Sequence, residues 1–191
     1  DKGVQGILTK WHEGRKTGYG LFVDEDGCLA CWIGDGQRIV KASSGKPLLR
    51  KVWYLAAASY DAKTKRIKLY QQPVVTSANG GLGMSLLHPA SETSAAVSKP
   101  CSIKPKENDA PLLMAATTKR SDSGRSVQGA HYKEAGEPFA LPEQSNTFNG
   151  KIDRPRLANR ALSKDEIDAV ARGFKTCEAD LRRSIVGAWD F

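Results

Sequence analysis

Residues 52–71 constrain the fold most. Residues 52–60 are the longest apolar run of the chain, and both alternating faces are largely apolar. Trp53, Leu55 and Ala57 lie on one face, and Tyr54, Ala56 and Ala58 on the other. Such a run predicts an interior strand covered on both sides rather than an edge. Residues 61–65 turn the chain at Asp61. Residues 66–71 (RIKLYQ) then alternate charged and apolar side chains, as a half-buried strand does. The two runs read as a hairpin, and a hairpin this regular points to antiparallel β structure.

The flanking sequence extends that reading. Residues 6–11 and 18–23 read as strands. The turn Asp24-Glu25-Asp26-Gly27 ends in Asp-Gly, a strong hairpin signal, and residues 28–33 return as a third strand. Asp35-Gly36 makes a further turn, and residues 38–41 read as a fourth strand. Residues 43–46, before Pro47, read as loop. Residues 112–118 (LLMAATT) are a later strand, and residues 146–159 are one or two strands bent near Pro155. Ser163 and Glu166 then have the spacing of a capping box, in which each satisfies a backbone N–H near the other. Ile167, Val170 and Ala171 follow as an apolar stripe, and Gly173 stops the helix. A second short helix is expected over 177–183, and residues 185–191 (IVGAWDF) are strand-like.

Two stretches, 76–109 and 119–145, are rich in small, polar, Gly and Pro residues. They exceed the ~12–15 residues usual for a plain loop, so flexibility or contacts to something outside the chain are expected. The resulting division is a β domain over 1–175 with these two excursions. Residues 176–191 form a helix and strand leading toward a following domain. The chain opens with Asp1-Lys2-Gly3 and has neither a signal peptide nor an initiator Met, so it reads as a fragment of something longer.

With 191 residues, 40% hydrophobic and 26% charged, the chain is about one domain with a sizeable core. No apolar run approaches the ~18 residues of a membrane-spanning helix. The net charge of +8 is carried by scattered cations, with small clusters at Lys63-Lys65-Arg66, Lys104-Lys106 and Arg182-Arg183. None is interleaved with aromatics as a single-strand binder requires. A solvated surface or a patch facing an acidic partner is expected, not nucleic acid.

Few residues invite chemistry. Cys28 and Cys31 form a C-x-x-C, but in an alternating strand an odd offset sets them on opposite faces. Their Cα atoms would be about 10 Å apart, beyond the ~7 Å a disulfide spans. Cys101 and Cys177 are isolated. A chain without a disulfide framework fits a reducing cytoplasm. There is no G-x-S-x-G, and His12, His88 and His131 have no paired carboxylate, which argues against a serine triad. Asp24 and Asp26 begin like an EF-hand loop, but position six is Leu29 and position twelve is Asp35, so that motif fails. A looser calcium site on Asp24, Asp26, Asp35 or Asp61 stands beside their reading as turn formers. The segment Asn79-Gly80-Gly81-Leu82-Gly83 lacks phosphate-loop spacing. Trp11, Trp32 and Trp53 are candidates for sugar stacking, although tryptophans in alternating strands more often build core. A glucanase needs two carboxylates facing one cleft, and no E-x-D-x-x-E-type run is present. No residue is assigned a catalytic, cofactor-binding or metal-binding role.

The hairpin of residues 53–70, the phrase Phe148-Asn149-Gly150-Lys151-Ile152-Asp153 and Arg160-Ala161-Leu162-Ser163 before the Glu166 helix resemble the laminin-G-like, concanavalin A-like β-sandwich. The resemblance implies an antiparallel jelly-roll sandwich with one or two short C-terminal helices. It also implies binding or assembly more than catalysis. A narrower resemblance lies in Phe22-Val23-Asp24-Glu25-Asp26-Gly27, Gly34-Asp35-Gly36 and Ala188-Trp189-Asp190-Phe191. These are similar to the N-terminal region of the N,N-dimethylformamidase large subunit. That resemblance implies a non-catalytic front domain of an amidohydrolase. Its iron sits in a following domain on two tyrosines and a glutamate, none matched here. It also implies a small subunit as partner in a hetero-oligomer. The alternative is a lectin-like carbohydrate-binding module.

Overall fold

A computed structural model describes residues 3–74, 93–118 and 144–190. The chain groups into two compact units. The first comprises Asp1–Ser43 and Ile103–Gly150, and the second Ser44–Ser102 and Lys151–Phe191. Most of the excursions expected at 76–109 and 119–145, with His88, His131 and the Gly80–Gly83 segment, lies outside the described residues.

The described chain is mostly antiparallel β with two short C-terminal helices, as the sequence predicts. Strands β1 (Gln5–His12), β2 (Thr17–Val23) and β3 (Cys28–Asp35) of the first unit form a meander with β4 (Ile39–Pro47), which begins in that unit and runs past its end at Ser43. The short strand β8 (Leu113–Met114) returns beside β1, giving the order β4-β3-β2-β1-β8. The β2–β3 turn forms where Asp-Gly places it. Gly27 takes φ 78°, a left-handed conformation that glycine adopts without steric cost. Residues 43–46, expected as loop, belong to β4, where Gly45 takes φ 67°.

The core of this unit follows from cross-strand register. On one sheet face the rows across β1, β2 and β3 read Trp11–Gly18–Gly34, Thr9–Gly20–Trp32 and Gly6–Phe22–Ala30. Each row carries one large ring flanked by small residues, so three rings share one face without collision. Trp11 meets Phe22 and Trp32 edge-on, with centroids 6.3 and 5.8 Å apart, while Phe22 stacks on Trp32 at 4.3 Å. Such geometries add to the burial energy of the rings. A Cβ on Gly34 would stand 2.8 Å from the Trp11 ring, so the glycine makes room for the indole.

The strand buried on both faces is β3, whose residues from Cys28 to Gly34 are all buried. The sequence assigned that place to residues 52–60. In the structure β5 (Tyr54–Asp61) is an edge of the second unit's sheet, which runs β5-β6-β7 with β6 (Arg66–Pro73) in the centre and β7 (Ala95–Pro100) beyond it. The reason is side-chain size. Ala56, Ala57 and Ala58 read as apolar on both faces but bring little surface to bury. The hairpin itself forms in the expected register, from Tyr54 opposite Pro73 to Asp61 opposite Arg66. Strand β7 (Ala95–Pro100) pairs with β6 although it falls inside the expected 76–109 excursion.

Other boundaries shift for local reasons. The single strand expected over 112–118 is broken into β8 and β9 (Thr117–Thr118) by Ala115, at φ 60°. Strand β10 (Gln144–Ser145) pairs with β9. Of the strand expected over 146–159, only β11 (Arg156–Ala158) forms, paired with β12 (Ile185–Ala188). Helix α1 (Lys164–Gly173) carries the expected box: Ser163 Oγ accepts from Glu166 N at 3.2 Å, and Glu166 Oε2 accepts from Ser163 N at 2.8 Å. Ile167 is buried and Val170 half-buried, whereas Ala171 of the expected stripe is exposed. Helix α2 (Ala179–Ser184) begins two residues later than expected and buries Leu181.

Candidate functional site

Of the four aspartates considered for calcium, Asp24, Asp35 and Asp61 each hold a turn. Asp24 Oδ1 accepts from the backbone N–H of Asp26 and Cys28 at 3.1 and 2.8 Å, and Asp24 Oδ2 from Ser43 Oγ at 2.6 Å. Asp35 Oδ1 accepts from Gln37 N and Arg38 N at 2.9 and 2.7 Å. Those two amides hold its carboxyl below the usual carboxylate range. Asp61 accepts from Thr64 Oγ1 at 2.8 Å and from Lys63 N at 2.8 Å, and the same contacts lower its pKa. The turn-former reading accounts for all three geometries. Among the described residues no three His, Cys, Asp or Glu side chains gather as a metal group.

The remaining candidates are structural. Trp11 and Trp32 are buried at 1% and 6% exposure, so neither offers a face to a sugar, while Trp53 is half-buried. His12 accepts through Nδ1 from Arg15 N at 3.2 Å and holds the β1–β2 turn. Cys28 and Cys31 are both buried in β3, where the strand period sets them on opposite faces. Cys177 donates its Sγ proton to Gly173 O at 3.3 Å, closing the end of α1.

A small hollow lies in the second unit, on the face of the sheet where α1 begins. Leu55, Tyr70, Gln72, Ala96 and Lys164 line it. The register explains the grouping, since Leu55 pairs with Gln72 and Tyr70 with Ala96. Its volume is about 170 Å³, below the ~300–1,000 Å³ of ordinary ligand pockets. Its one charged group is committed: Lys164 Nζ stands 2.5 Å from both oxygens of Asp168. On the buried side of β6, Gln71 Nε2 donates to Lys46 O and Thr93 O at 3.1 and 2.8 Å.

Sequence reasoning missed the clamp made by Arg156. Its guanidinium donates to the carbonyl of Trp189 at 2.5 Å, pairs with the carboxylate of Asp190, and lies 5.1 Å over the Phe174 ring. That pairing lowers the Asp190 pKa. The Arg156 side chain is 13% exposed, and β11–β12 pairing brings it to the Ala-Trp-Asp segment. The signal was an Arg in a strand whose partner lies about thirty residues on, a pairing that spacing alone does not reveal. Nearby, Arg160 makes two bonds to Glu166, at 2.6 and 3.2 Å. With the Ser163 amide they bring the Glu166 pKa down to about 2.

No helix among the described residues is long and apolar enough to cross a membrane. No protein-family model matches the chain. The chain is 30% identical over its full length to the N,N-dimethylformamidase beta subunit of an Alcaligenes species. It is 31% identical over 90% of its length to that of Paracoccus aminophilus. It spans about a fifth of the length of these curated relatives, 22% and 20% respectively. The sequence-based expectation named a large subunit; both relatives bear the name beta subunit, and the similarity is to that subunit.

Proposed function

We propose that this chain is a non-catalytic, β-rich part of a protein of the N,N-dimethylformamidase beta-subunit type. Its role is to assemble with, or cover, the portion that hydrolyses the amide. One observation carries the reading: the similarity to the Alcaligenes beta subunit runs along the whole chain. Hydrolysis of dimethylformamide adds water across the amide C–N bond and yields formate and dimethylamine. That chemistry needs an activated water and a stabilised oxyanion. Asp24, Asp35, Asp61, Glu166 and Asp190 support turns, a helix cap and an ion pair, which suits a scaffold better than a reaction centre. In this reading the sheets pack as a laminin-G-like sandwich of a large, cytoplasmic beta subunit. Iron belongs to another domain of that subunit, and a small subunit completes a hetero-oligomer. The described residues include no fitting metal group, so no step through iron is assigned to this chain.

The test is association. The chain is mixed with the Alcaligenes beta subunit from which the matched fifth has been deleted, and complex formation is followed by size-exclusion chromatography. Co-elution is expected. Separate elution, with both components folded by circular dichroism, would contradict the assembly role.

A further inference from the structure

The net charge of +8 is not spread over the molecule. The first unit carries twelve Lys and Arg against twelve Asp and Glu, and the second carries seventeen against nine. Within the second unit, residues 151–191 hold nine cations and seven carboxylates. Five of those carboxylates are in ion pairs, on Arg154, Arg156, Arg160, Lys164 and Arg183. Residues 44–102 hold eight cations and only two carboxylates, and Asp61 of those two is occupied by its own turn. Six of the eight excess positive charges therefore belong to residues 44–102, and two to residues 151–191.

The fold concentrates them further. Lys63 and Lys65 lie in the β5–β6 turn, and Arg66 and Lys68 open β6. The register sets Pro100 opposite Arg66 and Lys99 opposite Ile67, so β7 brings a fifth cation to the same end of the sheet. Lys63, Lys65, Lys68 and Lys99 are exposed, and Arg66 is anchored by donating to Ser98 Oγ at 2.8 Å. Neighbouring strands are about 4.8 Å apart, within the Debye length of ~8 Å at physiological salt, so these potentials add.

We infer that this end of the sheet, the β5–β6 turn with the adjoining end of β7, is a docking surface for an acidic protein face. A concentrated patch of one sign steers and orients a partner of the other. The surroundings fit a protein better than other polyanions. Single-stranded nucleic acid needs exposed aromatics among the cations, whereas Tyr70 is buried and Tyr60 half-buried. A membrane surface needs apolar anchors. The exposed large apolar side chains among the described residues are Val74 and Val186, neither at this end of the sheet. The inference goes beyond the amidase reading and does not depend on it.

The test uses the full chain at about 0.15 M salt, with poly-L-glutamate, a single-stranded RNA oligonucleotide and phosphatidylserine vesicles as probes. Two triple variants change the net charge equally: K63E/K65E/K68E at the proposed surface, and K16E/K104E/K106E in the first unit. Saturable binding to poly-L-glutamate is expected, weakened by the sheet variant at least about tenfold more than by its counterpart. The neutral variant K63Q/K65Q/K68Q is expected to fall between the sheet variant and the unaltered chain, which keeps the test valid if the reversal disturbs the turn. Equal weakening by the two reversals, no saturable binding, or tighter binding to RNA or vesicles would overturn the inference.

Discussion

Glu166 does three things at once. It returns a bond to the Ser163 amide, pairs with both terminal nitrogens of Arg160, and sits in the first turn of α1, where the helix dipole favours negative charge. Removing the Ser163 hydroxyl with S163A is expected to cost about 1 kcal/mol, the usual worth of a cap. Chemical denaturation of both proteins checks it. The pH dependence has a definite sign. The folded pKa of Glu166 is about 2 against 4.5 for the free group, so its contribution is full above 4.5 and lost as pH falls toward 2. The stability gap between the chain and E166Q is therefore expected to be constant from pH 5 to 7 and to close toward pH 2. A gap that widened on acidification would show that the pairing is not the cause. This cap was legible in the sequence because it depends on four consecutive residues. The Arg156 clamp was not, because its partners are 33 and 34 positions away.

At the scale of elements, the second unit turns on β6. Ile67 and Leu69 are 0% and 1% exposed and lie between β5 and β7. I67A is expected to destabilise the chain by about 2–5 kcal/mol, the range for large-to-alanine changes in a core. A58G, at an exposed position of edge strand β5, is expected to cost about 1 kcal/mol or less. Thermal melts of the two variants compare centre with edge directly. R156A should leave the sheet intact and release the clamp, seen as faster amide exchange in β11 and β12 with unchanged exchange in β6. The hairpins and their turns were readable because period-2 alternation and Asp-Gly chemistry act locally. The rank of the strands was not. β3 (CLACWIG) and β5 (YLAAASY) both read as apolar, and only the cross-strand rows decide which is buried. Those rows place Trp32 and Ala30 of β3 beside Gly20 and Phe22, whereas β5 offers three alanines at an edge.

For the molecule as a whole, charge and similarity point the same way. One unit is electrically balanced and the other carries the entire excess, which suits a part made to sit against something else. The chain aligns over its whole length with about a fifth of much longer amidase subunits. Asp24, Asp35, Asp61, Glu166 and Asp190 hold turns, a helix cap and an ion pair. The proposed role is to support hydrolysis without performing it. The most direct measurement is formate release from N,N-dimethylformamide by the purified chain with added ferrous iron, beside the intact Alcaligenes enzyme as reference. The account predicts no formate above the buffer blank. Formate accumulating in proportion to the chain's concentration would contradict it.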